Sequence, residues 1–231
     1  MRKETRAFVE CLSKELVLPD PIVEIGSLQI EGQEKYADLR PFFSNKEFIG
    51  CDMRQGPGVD RLENLHALNF ADNSVGTIIL LDTMEHVRYP FKAMEEVYRV
   101  LKPGGVIIMT SVMLCPIHDY PADYWRFTPE AFQVLLEKYT TIKVWHDRPS
   151  LFPRTIYGLG VKQELSDFEK DKIDQTVQTM VIQKYFGEES MSIITVSGNL
   201  LTLKRSSFRG KVLFVLRMIE RLRRWFKKRL N

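Results

Sequence analysis

Two short apolar runs with no polar face constrain the fold of this 231-residue chain most strongly. Residues 77–81 (TIILL) and 106–109 (VIIM) are predicted to be buried on both faces, as the strands of a parallel sheet are. Between them, residues 91–101 repeat apolar side chains at helical spacing, and the Lys-Pro-Gly-Gly run at 102–105 is typical of a helix end. A strand, a helix and a strand in this order predict a parallel βαβ unit.

Further elements on both sides extend this unit. Residues 21–26 and 47–52 are predicted strands that end at a glycine and at an acid, respectively. Downstream, a helix over 131–139 and strands over 141–145 and 154–161 are predicted, the last of them antiparallel, and residues 163–185 are loosely helical. The fold class is therefore α/β, a doubly wound and mostly parallel sheet that binds ligands at the carboxyl ends of its strands.

Composition limits the number of domains and the class of protein. With 44% hydrophobic and 27% charged residues, the chain is able to bury a core, which excludes disorder as its main state. Its length suits one large domain with an appendage. Cys11, Cys51 and Cys115 are far apart, so neither a disulfide framework nor a zinc cluster is predicted, and reduced thiols in a cytoplasmic protein are expected.

The net charge of +3 hides an asymmetry between the body and the tail. Residues 204–231 contain 11 Lys or Arg and one acid, a net charge of +10, whereas residues 1–203 carry 22 basic and 29 acidic side chains, a net charge of −7. The predicted organisation is a domain over 1–203, with a cofactor half at about 20–112 and substrate-side elements at about 113–203, followed by the basic segment. The amino-terminal residues are predicted to form a short amphipathic helix, and no stretch is apolar enough to span a membrane.

At helical spacing the basic segment separates an apolar stripe from a basic one. This pattern is typical of a helix that lies on an anionic membrane surface. A helix packed on the domain and a nucleic-acid contact are the alternatives. The apolar stripe consists of Phe208, Val212, Val215, Ile219, Leu222, Phe226 and Leu230, and the basic one of Arg217, Arg221, Arg224, Lys227 and Lys228.

Three blocks, at the spacing they have here, resemble the class I S-adenosylmethionine-dependent methyltransferases of the broad type 11 kind. They are residues 68–74 (LNFADNS), 82–87 (DTMEHV) and 95–105 (EEVYRVLKPGG), and the resemblance extends over 23–110. It implies a Rossmann-like methyltransferase fold and S-adenosylmethionine as the cofactor.

The resemblance also implies cofactor-binding residues. The glycine after the first strand lets backbone approach the methionine part of the cofactor, and the acid after the second strand accepts hydrogen bonds from the ribose hydroxyls. The position that commonly holds the adenine amino group is an amide here, and the first loop departs from the usual Gly-x-Gly pattern. The residues expected to bind the cofactor are Glu24, Gly26, Ser27, Asp52, Met53, Asn64, Leu65, Asp82 and His86.

A second segment, 118–129 (HDYPADYWRFTP), resembles one found in methyltransferases associated with bacterial glycan and polysaccharide biosynthesis. His118 is the predicted catalytic base, with Asp119 orienting or replacing it, because a sugar hydroxyl is a poor nucleophile until it loses its proton. A packed aromatic lid is the alternative. The residues expected to contact the substrate are Tyr120, Tyr124, Trp125 and Arg126, and no spacing of ligands calls for a metal.

These patterns predict an enzyme that O-methylates a glycan or another hydroxylated small acceptor. It is expected in the cytoplasm, with the basic segment at the inner face of the membrane. Two alternatives stay open: an RNA or protein methyltransferase that grips its substrate with the basic segment, and a noncatalytic module that tethers partners to a membrane.

Overall fold

The computed structural model describes residues 1–30, 32, 34–118, 122–147 and 153–186. These residues form one seven-stranded sheet between two layers of helices. The strands are β1 Ile22–Ile25, β2 Phe48–Asp52, β3 Arg61–Leu62, β4 Val75–Leu81, β5 Leu101–Val112, β6 Thr141–His146 and β7 Thr155–Val161. The α-helices are α1 Lys3–Glu15, α2 Glu34–Ala37, α3 Pro90–Val100, α4 Pro129–Leu135, α5 Asp167–Val177 and α6 Lys184–Phe186, with 3-10 helices at Arg40–Phe43 and Met84–His86 and a π-helix at Gln178–Gln183.

The sheet confirms the predicted doubly wound, mostly parallel class. Its order is β3-β2-β1-β4-β5-β7-β6, and only β7 runs antiparallel to its neighbours. The order reverses between β1 and β4, and such a switch point opens a crevice at the carboxyl ends of the strands. The sheet therefore directs attention to the loops that follow β1, β2, β4 and β5.

Alternation along the central strands divides the core into two layers, because successive side chains of a strand point to opposite faces. Ile78 and Leu80 pack in the layer under α3 and α4, and Ile79 packs in the layer under α1 and α5. All three are fully buried. This is why the run at 77–81 has no polar face.

The Lys-Pro-Gly-Gly run has a second role that the sequence did not indicate. It ends α3 as predicted, but β5 begins at Leu101 rather than at Val106. Val75 pairs with Leu101 and Thr77 with Val106, so the extra residues form an irregularity in the strand. Gly104 lies within it at a φ of 74°, a conformation that favours glycine.

Two details of the predicted helices are wrong. Phe91 was expected on the buried stripe of α3, but it is 62% exposed, because the buried stripe of the helix falls at positions 90, 93, 94, 97 and 100. The helix predicted to run to residue 139 ends at Leu135. Leu136 and Tyr139 are still buried, so apolar spacing continued past the helix into a packed turn.

The structure describes the predicted amino-terminal helix but not the basic carboxyl-terminal segment. The short amphipathic helix is α1, and the loosely helical stretch becomes α5, which begins with a capping box between Ser166 and Glu169. The basic segment 204–231 lies outside the described residues, so the boundary at residue 203 stays a prediction. Within the part of the chain that the structure describes, no helix is long and apolar enough to cross a membrane.

Phe8 tests how firmly α1 is anchored to the sheet. It is fully buried and makes edge contacts with Trp145 and Tyr157 at ring-centroid distances of 5.7 and 5.0 Å. We expect Phe8→Ala to lower the free energy of unfolding by about 3 to 5 kcal/mol, measured by urea denaturation. The matched control, Phe168→Ala, removes a ring that is 77% exposed and should change it by less than about 0.5 kcal/mol. If Phe8→Ala changed the free energy of unfolding as little as Phe168→Ala, α1 would not be part of the cooperative core.

Candidate functional site

The carboxyl ends of β1, β2, β4 and β5 meet at one edge of the sheet, and most of the residues predicted for the site lie there or in the loops that follow. The loops after β1 and β2 carry the residues expected to hold the cofactor. The loops after β4 and β5 carry the histidines and aromatic residues expected on the acceptor side. The two groups flank the switch point of the sheet.

Gly26 directly follows β1 and has a φ of 90°, which an L residue with a side chain rarely adopts. A Cβ atom there would lie 2.5 Å from Thr83 Oγ1, which is itself within 3.2 Å of the Ile25 carbonyl. Thr83 therefore makes the close approach to Gly26 that requires a glycine at this position. A ligand would also be able to approach the backbone closely there. The amides of Gly26 and Ser27 both donate to the carbonyl of Cys51, and this tightens the turn beside β2.

Asp52 ends β2 next to this turn. Its Oδ1 accepts the Arg54 amide at 3.0 Å, and the side chain is 11% exposed at the edge of the sheet. The following Met53 is 68% exposed, so an apolar side chain stands beside the carboxylate. A carboxylate acceptor, an exposed apolar side chain and a glycine turn on the adjacent strand fit a nucleoside with two free hydroxyls.

The loop after β3 holds the two residues expected at the adenine. Asn64 is exposed, and its side-chain oxygen accepts the His66 amide at 3.0 Å in a turn closed against Ala67. Leu65 is only 5% exposed and belongs to the hydrophobic core. Its backbone groups are the ones that remain available to a ligand, and the predicted cofactor contact of Leu65 stays a prediction.

Glu24 lies within β1 and is almost fully buried. Burial raises the pKa of its carboxyl group to about 8, although the positive charge of Arg40 acts to lower this pKa.

Asp82 was expected to face the cofactor, but the protein itself engages its carboxylate. Arg2, immediately before α1, donates to Oδ1 and Oδ2 at 2.6 and 3.1 Å, and the Thr110 hydroxyl donates to Oδ1 at 3.0 Å. Asp82 has a φ of 49° at the end of β4. These bonds make Asp82 the anchor that ties the amino-terminal helix to the edge of the sheet, and its predicted cofactor contact stays a prediction. Only the basic character of residue 2 was visible in the sequence.

Glu85 is the main residue that sequence reasoning missed. It is 1% exposed, and its Oε2 accepts the Ser111 hydroxyl at 2.6 Å. Its carbonyl accepts the amides of Tyr124 and Trp125 at 2.8 and 3.2 Å. Burial, followed by the charge of Asp82, raises the pKa of Glu85 to about 7. The sequence offered one signal, an acid directly before a histidine, but it suited a helix start equally well.

His86 and His118 meet at the end of the sheet. Their Nε2 atoms are 3.2 Å apart, with the rings perpendicular at a centroid distance of 4.8 Å. His86 Nδ1 lies 2.6 Å from the carbonyl of Ala122, and burial lowers the pKa of His86. The predicted cofactor residue His86 thus stands beside the predicted base, on the acceptor side of the edge. One ligand atom each of Glu85, His86 and His118 lie within 4.8 Å of one another, a grouping that the spacing of the sequence concealed.

Asp123 holds His118 in this position. Its Oδ2 accepts the His118 amide at 2.8 Å and lies 3.2 Å from His118 Nδ1. The hydrogen bonds from Arg126 hold the pKa of Asp123 well below its usual range. Asp119, the predicted orienting acid, and Tyr120 lie outside the described residues, and Asp123 takes the orienting role among the described ones.

Arg126, which is predicted to contact the substrate, is hydrogen-bonded within its own loop. Its Nε donates to the Cys115 carbonyl at 3.2 Å, one Nη donates to Asp123 and the Trp125 carbonyl, and the other donates to Asp123 and the Pro116 carbonyl. A guanidinium has five N–H donors, so all are used within the loop. Tyr124 and Trp125, by contrast, are 49% and 41% exposed, and Trp125 Nε1 donates to the Val87 carbonyl at 2.9 Å.

Part of the chain matches a known family of protein domains. Residues 44–109 match the family described as "Methyltransferase domain". No curated protein matches the chain.

Solved structures share the fold at low sequence identity. One is a 1,6-didemethyltoxoflavin-N1-methyltransferase from Burkholderia thailandensis, solved with S-adenosylhomocysteine, at 13% identity and a TM-score of 0.53 over 70% of this chain and 79% of that one. Another is a SAM-dependent methyltransferase from Archaeoglobus fulgidus, at 14% identity and a TM-score of 0.51 over 68% and 94%. The family match covers residues 44–109 of the chain, and both solved methyltransferases share its fold.

Proposed function

We propose that this protein transfers the methyl group of S-adenosylmethionine to a hydroxyl group of a glycan or another hydroxylated small acceptor. The observation that carries the proposal is the pairing of His86 with His118, backed by buried Glu85, at the carboxyl edge of the sheet. Exposed Tyr124 and Trp125 lie on the same loop as His118. Imidazoles beside aromatic faces suit an acceptor that must lose a proton and that presents partly apolar rings.

The cofactor side of the edge would be formed by the turn at Gly26 and Ser27, together with Asp52, Met53 and Asn64. When bound, S-adenosylmethionine would supply an electrophilic methyl group: its C–S bond would break as the O–C bond to the acceptor forms, S-adenosylhomocysteine would leave, and the hydroxyl proton would pass to solvent. The Asp52 carboxylate would accept hydrogen bonds from the ribose hydroxyls, and the Asn64 side-chain oxygen, which also accepts the His66 amide, would accept one from the adenine amino group. These groups fix the position of the cofactor but make and break no bonds.

On the acceptor side, the histidine pair lowers the cost of removing the hydroxyl proton. His118 is 42% exposed, so the proton is able to leave toward solvent on that side. A positioned group that assists proton removal contributes about 100- to 10,000-fold to the rate. Holding the acceptor oxygen in line with the methyl group supplies much of the remaining acceleration.

Recognition of the acceptor would rest on aromatic faces rather than on a guanidinium, because Arg126 is fully engaged. Tyr124 and Trp125 are held by backbone bonds to Glu85, so the residues that would contact the acceptor are fixed relative to the histidines. An RNA or protein acceptor would depend more on the basic segment than on this loop. A noncatalytic module that tethers partners to a membrane would need the basic segment but not this loop.

The basic segment 204–231 carries a separate part of the proposal. Its +10 charge and its apolar stripe suit an anionic membrane surface, which would bring a cytoplasmic enzyme close to a lipid-linked acceptor. This part rests on the sequence alone.

Asp52→Ala should weaken binding of S-adenosylmethionine by about 2 to 4 kcal/mol, because two hydrogen bonds to a charged acceptor are lost. Titration calorimetry on the wild type and the variant measures this. Asp171→Ala, which removes an exposed acid from α5, should leave the affinity unchanged. No heat from the wild type with saturating cofactor would overturn the enzyme proposal.

His118→Ala should keep the affinity for S-adenosylmethionine and lose about 100- to 10,000-fold of turnover, since the side chain acts on the acceptor. Transfer of a tritiated methyl group into cell glycan extracts provides the assay, and calorimetry with the cofactor is the internal control. Turnover equal to that of the wild type would remove His118 from the mechanism.

Removing three basic side chains of the segment together, as Arg221→Ala, Arg224→Ala and Lys228→Ala, should weaken binding to anionic vesicles. At about 1 kcal/mol for each charge, the expected loss at low salt is about 100-fold. Salt should weaken binding of the wild type without abolishing it, because apolar insertion is insensitive to the Debye length.

Vesicle sedimentation measures both effects. The matched control removes the same charge from exposed positions of the domain, as Lys14→Ala, Lys138→Ala and Lys172→Ala, and should keep binding. Equal losses from both triple variants would contradict a membrane role of the basic segment.

A further inference from the structure

We propose that Glu85, His86 and His118 form a binding site for a divalent first-row transition ion. The inference deepens the proposed function, because the ion would stand where the acceptor hydroxyl is activated. It concerns the same residues but makes a claim that can be measured without cofactor or acceptor.

The distances suit one ion. Two imidazole nitrogens that bind a tetrahedral ion at about 2.0 to 2.1 Å stand about 3.3 Å apart. The Nε2 atoms of His86 and His118 are 3.2 Å apart, and an oxygen of Glu85 lies within 4.8 Å of one nitrogen of each ring. Two imidazoles and one carboxylate form a ligand set that zinc, manganese, iron and cobalt accept.

The outer nitrogens of both rings face acceptors. His86 Nδ1 lies 2.6 Å from the Ala122 carbonyl, and His118 Nδ1 lies 3.2 Å from both the Pro116 carbonyl and the Asp123 carboxylate. Such partners keep the proton on Nδ1 and orient the ring, as they do for metal-bound histidines in general. Both Nε2 atoms then carry a lone pair, and the two atoms are only 3.2 Å apart. A cation between them, or a proton on one of them, removes the repulsion between the two lone pairs.

The charges around the site favour a bound cation rather than a further basic side chain beside Glu85. Asp82 is neutralised by Arg2, and Asp123 by Arg126. Among the residues that the structure describes, no Lys or Arg forms an ion pair with Glu85, whose carboxylate instead accepts the hydroxyl of Ser111. A buried carboxylate without a basic partner is stabilised by a bound divalent ion.

The three ligands leave one side of the ion open. Glu85 is buried, whereas His118 is 42% exposed and lies near the solvent-facing loop of Tyr124 and Trp125. Three protein ligands with open positions are typical of ions that bind a substrate. Adjacent hydroxyls of a sugar are able to fill two such positions. An ion so placed lowers the pKa of a bound hydroxyl, whose proton passes to solvent.

The test uses the full chain, treated with a chelator and dialysed, and titrated separately with Co²⁺, Zn²⁺, Mn²⁺ and Mg²⁺ in a calorimeter. One equivalent of Co²⁺ or Zn²⁺ should bind, and Co²⁺ should give visible absorption bands typical of nitrogen and oxygen ligands. His118→Ala and His86→Ala should each weaken binding by about 100-fold or more, since even the loss of an outer partner of a ligand costs about 10- to 100-fold. Circular dichroism checks that both variants are folded.

His66→Ala is the matched control, because it removes a histidine whose ring contacts Asn64 and Tyr89 rather than the Glu85 group. It should bind the ion like the wild type. No binding by the folded wild type, or equal weakening by His66→Ala, would overturn the inference and leave the histidine pair sharing a proton. Ion binding without S-adenosylmethionine binding would overturn the proposed function while supporting this site.

Discussion

Parallel pairing of β1 with β2 and β4, and of β4 with β5, is the constraint on which the rest of the structure depends. Parallel strands need crossover connections, so helices cover both faces of the sheet and leave its carboxyl edge to loops. The residues of the candidate site therefore lie in or next to the loops at this edge. Residues 26, 52, 82–86 and 111–118 are distant in sequence but come to the same edge because their strands all end there.

Three polar anchors convert these loops into a fixed site. Arg2 binds Asp82 and holds the start of α1 at the end of β4. Glu85 binds the loop after β5 through its carbonyl, and Asp123 binds Arg126 and orients His118. The two ion pairs are charge-assisted and the Glu85 bonds are between backbone groups, and together they give defined geometry to segments that have little regular structure. The histidines are therefore positioned by the protein before any ligand binds.

The site separates two tasks between two pairs of strands. The ends of β1 and β2 offer a glycine turn, a carboxylate and an exposed methionine, which suit a nucleoside. The ends of β4 and β5 offer a carboxylate, two imidazoles and two exposed aromatic rings, which suit a hydroxyl that must be activated. Because methyl transfer needs no nucleophile on the enzyme, this division of binding from activation is sufficient for the proposed reaction.

The sequence by itself determined the class of fold and the edge where the site lies. Apolar runs without a polar face, a helix between them, and glycine or acid at strand ends are local patterns, and each follows from burial or backbone conformation within a few residues. The sequence also indicated Asp52, His118 and the exposed aromatic pair, although their roles in binding and catalysis stay predictions.

Only the tertiary structure decided which polar groups meet. His86 and His118 are 32 residues apart, Arg2 and Asp82 are 80 apart, and no periodicity links either pair. The same contacts assign Arg126 to its own loop, Leu65 to the core and Glu85 to the site. Long-range contacts depend on the register and crossovers of the whole sheet, so the local pattern that located each strand could not reveal which side chains its end would face.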